Sequence, residues 1–322
     1  MLSDEQLLKR RGFLCASDAP AIMRQSPFAS PHAIWLEKHY TTEPITDNEA
    51  MNRGNRHELP LGQNAAERLG VTIISDPEKL EFEATGPTGV PWLVHPDHLV
   101  NEHPWQIECK VTSMWNHWGE EEFTNVIADM YQIQAQVQMS VARMAGHQID
   151  TTYFAVMLPW YGRIAERIYK MDYNERLWKI IEGYCTTWWE RYVVEGQPCD
   201  DRDTLPSDLA VVQRIVRETG KQTDIPKKLC DEYKKFRQCE NNAKMKKEAA
   251  QARMLEAFGT AEIAQAGDDV IEYLEQPGRR SVNYDALRER WPEVYAQVVK
   301  TGKPSRRLNV KEGARAVTEV YG

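Results

Sequence analysis

The stretch from His95 to Lys110, HPDHLVNEHPWQIECK, decides the reading of this chain. Residues 91–100 (PWLVHPDHLV) and 105–113 (WQIECKVTS) each alternate apolar and polar residues, and the turn NEHP separates them, so two short strands are predicted. Pro96 and Asp97 fall at the end of the first. Successive strand residues point to opposite faces, so Glu108 and Lys110 share a face and Cys109 looks the other way. If the strands pair, Asp97 approaches Glu108. Two carboxylates and a lysine on one sheet face are costly without compensation. A hard divalent cation resolves the conflict, because Mg²⁺ takes carboxylate oxygens, a carbonyl and waters. The Cys109 carbonyl is a natural third protein ligand, and Lys110 is placed to orient or help deprotonate an attacking water. Taken alone the pattern is weak, since a turn Asp and a surface Glu–Lys pair give the same letters.

Outward from this core, residues 1 to about 40 read as helix, turn, helix, with Ser17 where an N-cap belongs and Pro20 in the first turn that follows. A loop covers 41–50, and a helix over Met51–Leu69 ends at Gly70. A strand at 71–75 and a turn cluster at 83–89 lead into the two strands above. A strong helix is predicted over 126–145, strands over 151–159 and 163–170, and a long amphipathic helix over 174–195. Composition shifts near 195–206. Beyond it, 226–257 reads as one charged helix, 261–274 as a hairpin, 283–299 as a helix and 305–311 as a last strand. The expected division is therefore a core over 1–204 and a helical and small α+β extension over 205–322. The fold class expected is α/β, a twisted mixed sheet flanked by helices.

The 322 residues are 42% hydrophobic and 27% charged, an ordinary globular composition that excludes collagen-like and disordered chains. No run approaches a membrane span, and residues 1–13 carry no apolar core of an export signal, so a cytoplasmic location is expected. The six cysteines form no CxxC pair, which argues against a zinc ribbon. A net charge of −8 counts against a simple nucleic-acid-coating protein, although an acidic metal site can carry part of it.

Four features in fixed order raise the reading. Arg10-Arg11-Gly12 precedes Ala16-Ser17-Asp18-Ala19, resembling R-x-G-x-x-x-[AGS]-S-[DE]. Arg53-Gly54-Asn55-Arg56-His57-Glu58 resembles a G-x-x-x-E helix. Pro96-Asp97 and Glu108-Cys109-Lys110 follow, and Tyr131-Gln132-Ile133-Gln134-Ala135-Gln136 resembles Y-x-x-Q-x-Q. Over residues 8–160, about half the chain, this order resembles the YqaJ-like viral recombinase family, the phage lambda exonuclease branch of the PD-(D/E)xK nuclease superfamily.

The resemblance implies a restriction-endonuclease-like core and a Mg²⁺-dependent 5′→3′ exonuclease. Such an enzyme leaves 3′ single strands on linear duplex DNA for single-strand annealing. Asp97, Glu108 and Glu58 would bind two Mg²⁺ ions about 3.5–4 Å apart, with Mn²⁺ as a substitute. Lys110 would activate water and Gln134 would position it. Gln132, Gln134, Gln136 and Gln138 cannot share one helix face, and Gln134 is the one expected to point inward. Arg10 and Ser17 would form a 5′-phosphate site, Ser17 through a helix N-terminus and Arg10 through its charged fork. The partners implied are DNA ends bearing a 5′-phosphate, a single-strand annealing recombinase and further copies of the chain in a trimeric ring. A phage or prophage origin goes with it, and no membrane. An endonuclease or opposite-polarity enzyme on the same scaffold, or a non-catalytic DNA-end-binding scaffold, remain the alternatives.

His57, His95 and His98 are read as supporting or solvent-facing. The tryptophans are read as core, with Trp115 or Trp118 a possible wedge at a DNA end. The lysines of 227–247 are read as a solvated helix face, and Arg279-Arg280 and Arg306-Arg307 are left undecided between DNA contact and none.

Overall fold

Strand β6 (Trp105–Val111) organises the sheet that carries the site. The computed structural model describes residues 4–43, 49–76, 79–160, 163–199, 206–278, 282–299 and 308. Five strands stand in the order β2 (Ile73–Ile74), β5 (His98–Val100), β6, β7 (Thr151–Trp160) and β8 (Arg163–Asp172). Only β6 and β7 run parallel, with Glu108 opposite Phe154. A parallel pair needs a crossover, and helix α5 (Asp129–Met144) lies within it. The rest of the sheet is antiparallel, with His98 of β5 opposite Ile107. The mixed sheet is as expected.

Helices cover both faces. On one, α4 (Glu49–Leu69) sets Leu61, Ala65 and Ala66 against Val100, Ile107, Tyr153, Ala155 and Ile168. Gly70 follows with φ +68°, the left-handed stop that ends the helix. On the other face α5 and α6 (Glu175–Trp189) pack with Phe154, Val156, Leu158 and Tyr169. The last turns of α6 widen into a π-helical segment over Glu190–Val194. Because β7 is covered on both sides, Thr151 to Leu158 are buried without alternation.

A second, three-stranded sheet has the order β1 (Leu14–Cys15), β4 (Pro91–Val94), β3 (Phe82–Thr85). The segment 91–100, expected as one strand, is thus two strands in two sheets. Pro96 has no N–H for a ladder, and the chain leaves one sheet there and enters the other. Asp97 sits at that crossing, directly before β5. Helices α1 (Asp4–Arg11) and α2 (Asp18–Ile22) pack beside β1, and α3 (Pro31–His39) packs on both helices. The side chain of Ser30 caps α3 by accepting from the Ala33 N–H at 3.0 Å.

The chain divides into two units, 1–219 and 220–322, rather than near residue 204. The first unit extends further because α7 (Pro206–Arg214) belongs to it. Val211 and Ile215 pack with Ala33 and Leu36, Arg214 pairs with Glu37 at 2.5 Å, and Ser30 bonds Asp208. The second unit contains α8 (Lys227–Phe258), none of whose side chains is buried among the described residues. A hairpin of β9 (Ile263–Ala266) and β10 (Asp269–Glu272) turns at Gly267, φ +65°. The single helix expected over 283–299 is two, α9 (Tyr284–Arg290) and α10 (Pro292–Val298). Pro292 forbids helical geometry at Trp291, whose φ and ψ are −138° and 65°. The expected strand at 305–311, apart from Leu308, and both arginine pairs fall outside the described residues. Among the described residues no helix is long and apolar enough to cross a membrane.

Candidate active site

Three elements converge on Glu108. On β6, Gln106, Glu108 and Lys110 share the face toward α5, while Ile107 and Cys109 join the apolar cluster under α4. Glu108 is 2% exposed, a depth a carboxylate reaches only with partners. Lys110 Nζ donates to its Oε1 at 2.6 Å, and Gln134 Nε2 donates to the same oxygen at 2.8 Å. Gln138 Nε2 donates to Oε2 at 3.0 Å. Gln134 thus bonds the Glu108 carboxylate beside Lys110, while Gln136 and Gln138 are the glutamines of α5 buried most deeply. Gln138 was missed. It lies one helical turn beyond Gln134, and residues four apart share a helix face, which is the signal that finds it. Gln136 points elsewhere, bonding Ser140 Oγ and the Asn174 N–H.

Asp97 is held from the next strand. Its Oδ2 accepts from the Cys109 N–H at 2.7 Å, which locks the crossing segment onto β6. Burial raises the Asp97 pKa, Glu108 and Glu58 raise it further, and Lys110 and the Cys109 N–H oppose them. Burial lowers the Lys110 pKa, but Glu108 and Asp97 outweigh it, so Lys110 is raised and stays an ammonium. It also stands 5.6 Å from the centre of the Tyr131 ring, the tyrosine of the Y-x-x-Q helix. The Cys109 thiol is pushed up by burial and then by the same carboxylates, so it is neutral.

Glu58 comes from α4. Partial burial raises its pKa, followed by Glu108, while Lys110 lowers it, so it feels the same site. Helix α4 approaches the sheet at Gly62, where a Cβ would lie 2.2 Å from His98 Nε2. The buried His98 ring is held by Ser75 Oγ at 2.9 Å. His98 therefore sets the height of α4 and is not solvent-facing. His95 is exposed and pairs with Glu81. Among the described residues no three His, Cys, Asp or Glu side chains stand close enough to enclose a metal ion.

The Arg10–Ser17 pair is assembled, since Arg10 Nη2 donates to Ser17 Oγ at 3.3 Å. The reason given for Ser17 needs correction. Its backbone is already helical, its side chain caps nothing, and α2 spans five residues, so no helix N-terminus of consequence stands there. What orders this corner is Asp18, which was not singled out. Its Oδ2 accepts from the Cys15 N–H at 2.9 Å and from Lys38 Nζ at 2.7 Å. Lys38 also donates to the carbonyls of Arg10 and Phe13, at 2.9 and 2.6 Å. Trp118 is no wedge. It is 6% exposed and stacks on Tyr131 at 5.0 Å. Trp115 gives its backbone to a 3-10 turn, Trp115–His117, and its side chain is outside the described set.

An α/β domain with a buried glutamate, a lysine two residues on and a second carboxylate across the strand is the class defined here. Residues 6–148 match the YqaJ-like viral recombinase domain, and every candidate site residue lies within that stretch. The protein YqaJ of Bacillus subtilis (strain 168) is 23% identical over 228 residues, covering 70% of this chain and 67% of YqaJ. Among solved structures, an alkaline exonuclease from Laribacter hongkongensis aligns with a TM-score of 0.45 at 19% identity, over 60% of this chain and 94% of its own. A putative exonuclease from Eubacterium rectale aligns with a TM-score of 0.45 at 12% identity, over 69% of this chain and 96% of its own.

Proposed function

We propose that the chain is a Mg²⁺-dependent deoxyribonuclease that degrades one strand of linear duplex DNA in the 5′→3′ direction from a phosphorylated end. The observation that carries the reading is the buried Glu108 paired with Lys110 at 2.6 Å beside Asp97, within a viral-recombinase-type domain. The donor set suits a hard cation. Asp97, Glu108 and Glu58 are oxygen donors; burial first, and then repulsion from Glu108, raises the pKa of Asp97 and of Glu58, and a divalent cation relieves that repulsion. With the Cys109 carbonyl they leave positions for water and phosphate oxygens, as Mg²⁺ prefers to closed protein cages. When bound, Mg²⁺ ions supply Lewis-acid polarisation of the phosphodiester and activation of water.

The chain's own residues do the positioning. Lys110, oriented by Glu108 and Tyr131, holds the attacking water and sets positive charge beside the phosphate. Gln134 fixes Glu108 Oε1. Arg10 and Ser17 receive the 5′-phosphate, Arg10 by its guanidinium fork and Ser17 by its hydroxyl. The product, a 3′ single strand, is the substrate of a single-strand annealing protein, which is the proposed partner. Assembly as a trimeric ring and action in the cytoplasm of a phage host complete the reading.

The test is a time course on linear duplex DNA with Mg²⁺, one 5′ end phosphorylated and the other not, the strands labelled separately. Mononucleotide release from the phosphorylated strand alone, stopped by EDTA, is expected. Release from 3′ ends, or cleavage of circular duplex, would refute the polarity. Binding without cleavage in Mg²⁺ or Mn²⁺ would refute the enzyme.

A further inference from the structure

Behind Glu108 runs a buried chain of amides. Gln106 Nε2 donates to Thr152 Oγ1 at 2.8 Å and to Gln138 Oε1 at 3.0 Å. Gln138 Nε2 donates to Glu108 Oε2 at 3.0 Å, with a longer contact to the His95 carbonyl at 3.4 Å. Thr152, Gln106, Gln138 and Glu108 are all buried. The direction of the chain is dictated by charge. A carboxylate only accepts, so Gln138 must turn its NH₂ toward Glu108 and its oxygen toward Gln106. Gln106 then has to present its own NH₂, which leaves Gln106 Oε1 buried without a hydrogen-bond partner. That unmet acceptor is the cost of orienting Gln138.

The two oxygens of Glu108 therefore live in different surroundings. Oε1 meets Lys110 and Gln134 in partly buried contacts, while Oε2 is held in the fully buried layer. We infer that Gln138, oriented by Gln106, is a positioning residue that keeps Oε2 turned into the protein. With Oε2 held there, Oε1 is the oxygen left for a cation, in exchange for the Lys110 and Gln134 donors that hold it in this structure, and a single carboxylate oxygen selects Mg²⁺ over Ca²⁺. Mg²⁺ is small and octahedral and accepts single carboxylate oxygens, whereas Ca²⁺ takes more ligands and favours both oxygens of a carboxylate. The inference rests on Glu108 being a metal ligand, as proposed above.

The test uses Mn²⁺ as a paramagnetic probe on the full chain, displaced in separate titrations by Mg²⁺ and by Ca²⁺, alongside thermal melts. The variants are Gln138→Met and the double replacement Gln106→Met with Gln138→Met. The double replacement removes both amides, so neither is left facing an apolar partner. Outer partners of metal ligands shift metal affinity by about 10–100-fold. The expected result is that Ca²⁺ gains on Mg²⁺ by about tenfold in both variants, at the low end of that range. A melting temperature that falls while the Ca²⁺-to-Mg²⁺ ratio stays at the parent value would overturn the inference and leave the amides a purely structural role. A parent chain that binds no Mn²⁺ would instead overturn the metal reading of Glu108, and this inference with it.

Discussion

Replacing Lys38 by Met tests how the Ser17–Asp18 corner is held. The side chains of Lys38 and Asp18 are 4% and 5% exposed, so their ion pair is interior. Each Lys38 ammonium proton has an acceptor, in Asp18, Arg10 and Phe13. Methionine matches the length but leaves the Asp18 carboxylate with Arg10 at 3.9 Å as its nearest cation, and takes one donor each from the Arg10 and Phe13 carbonyls. Removing one partner of a buried pair costs about 3–5 kcal/mol. The loss is read by urea denaturation at pH 7 with tryptophan fluorescence, since Trp92, Trp118, Trp178, Trp188 and Trp189 are buried in the same unit. A companion, Asp18→Asn, keeps an acceptor for the Cys15 N–H and should lose less. The pH dependence has a definite sign. Despite burial, Lys38 and Arg10 hold the Asp18 pKa below its ordinary value. Its contribution is thus fully present above the unfolded value of about 3.9 and is lost as pH falls through the lower folded value. The parent should lose stability more steeply than Asp18→Asn below about pH 4. A Lys38→Met loss below about 1 kcal/mol, the size of a surface pair, would refute the reasoning.

Other perturbations follow from the same geometry. Gly62→Ala drives a methyl into the His98 ring, 2.2 Å from Nε2, and overpacking of this kind costs about 1–3 kcal/mol. The melting temperature should fall, and cleavage should fall further, because α4 carries Glu58. Gln134→Leu removes one donor from Glu108 Oε1; a lost hydrogen bond of about 1–1.5 kcal/mol corresponds to roughly a tenfold drop in single-turnover rate. Arg10→Ala should equalise digestion of 5′-phosphorylated and 5′-hydroxyl ends, and an unchanged preference would remove Arg10 from the phosphate site.

Much of the architecture was legible where a period is long enough to see. Helices α4, α5 and α8 and strands β7 and β8 all stood out in the pattern of apolar residues. Short elements did not. The two residues of β1 hold no period, and β3 hides in a turn-rich stretch beside Gly86. The change of sheet at Pro96 depends on where β1 and β3 lie, which is tertiary information. Among the candidate site residues, Asp97, Glu108 and Lys110 were visible because strand spacing places them, and Glu58, Gln134 and Asp18 because their motifs contain them. The pairing of Asp18 with Lys38 was not, since a salt bridge across 20 residues leaves no local trace. Gln138 was one of four alternating glutamines; its spacing of four from Gln134 puts the two on one helix face, and the position of α5 over β6 turns that face to Glu108.

The most direct measurement is nucleotide release from linear duplex DNA by the parent chain and by Lys110→Ala, each with Mg²⁺ and with EDTA, with end binding measured in parallel. The account predicts release by the parent that EDTA abolishes, and a Lys110→Ala chain that binds ends without releasing nucleotide. Release by Lys110→Ala at the parent rate, or by the parent in EDTA, would contradict it.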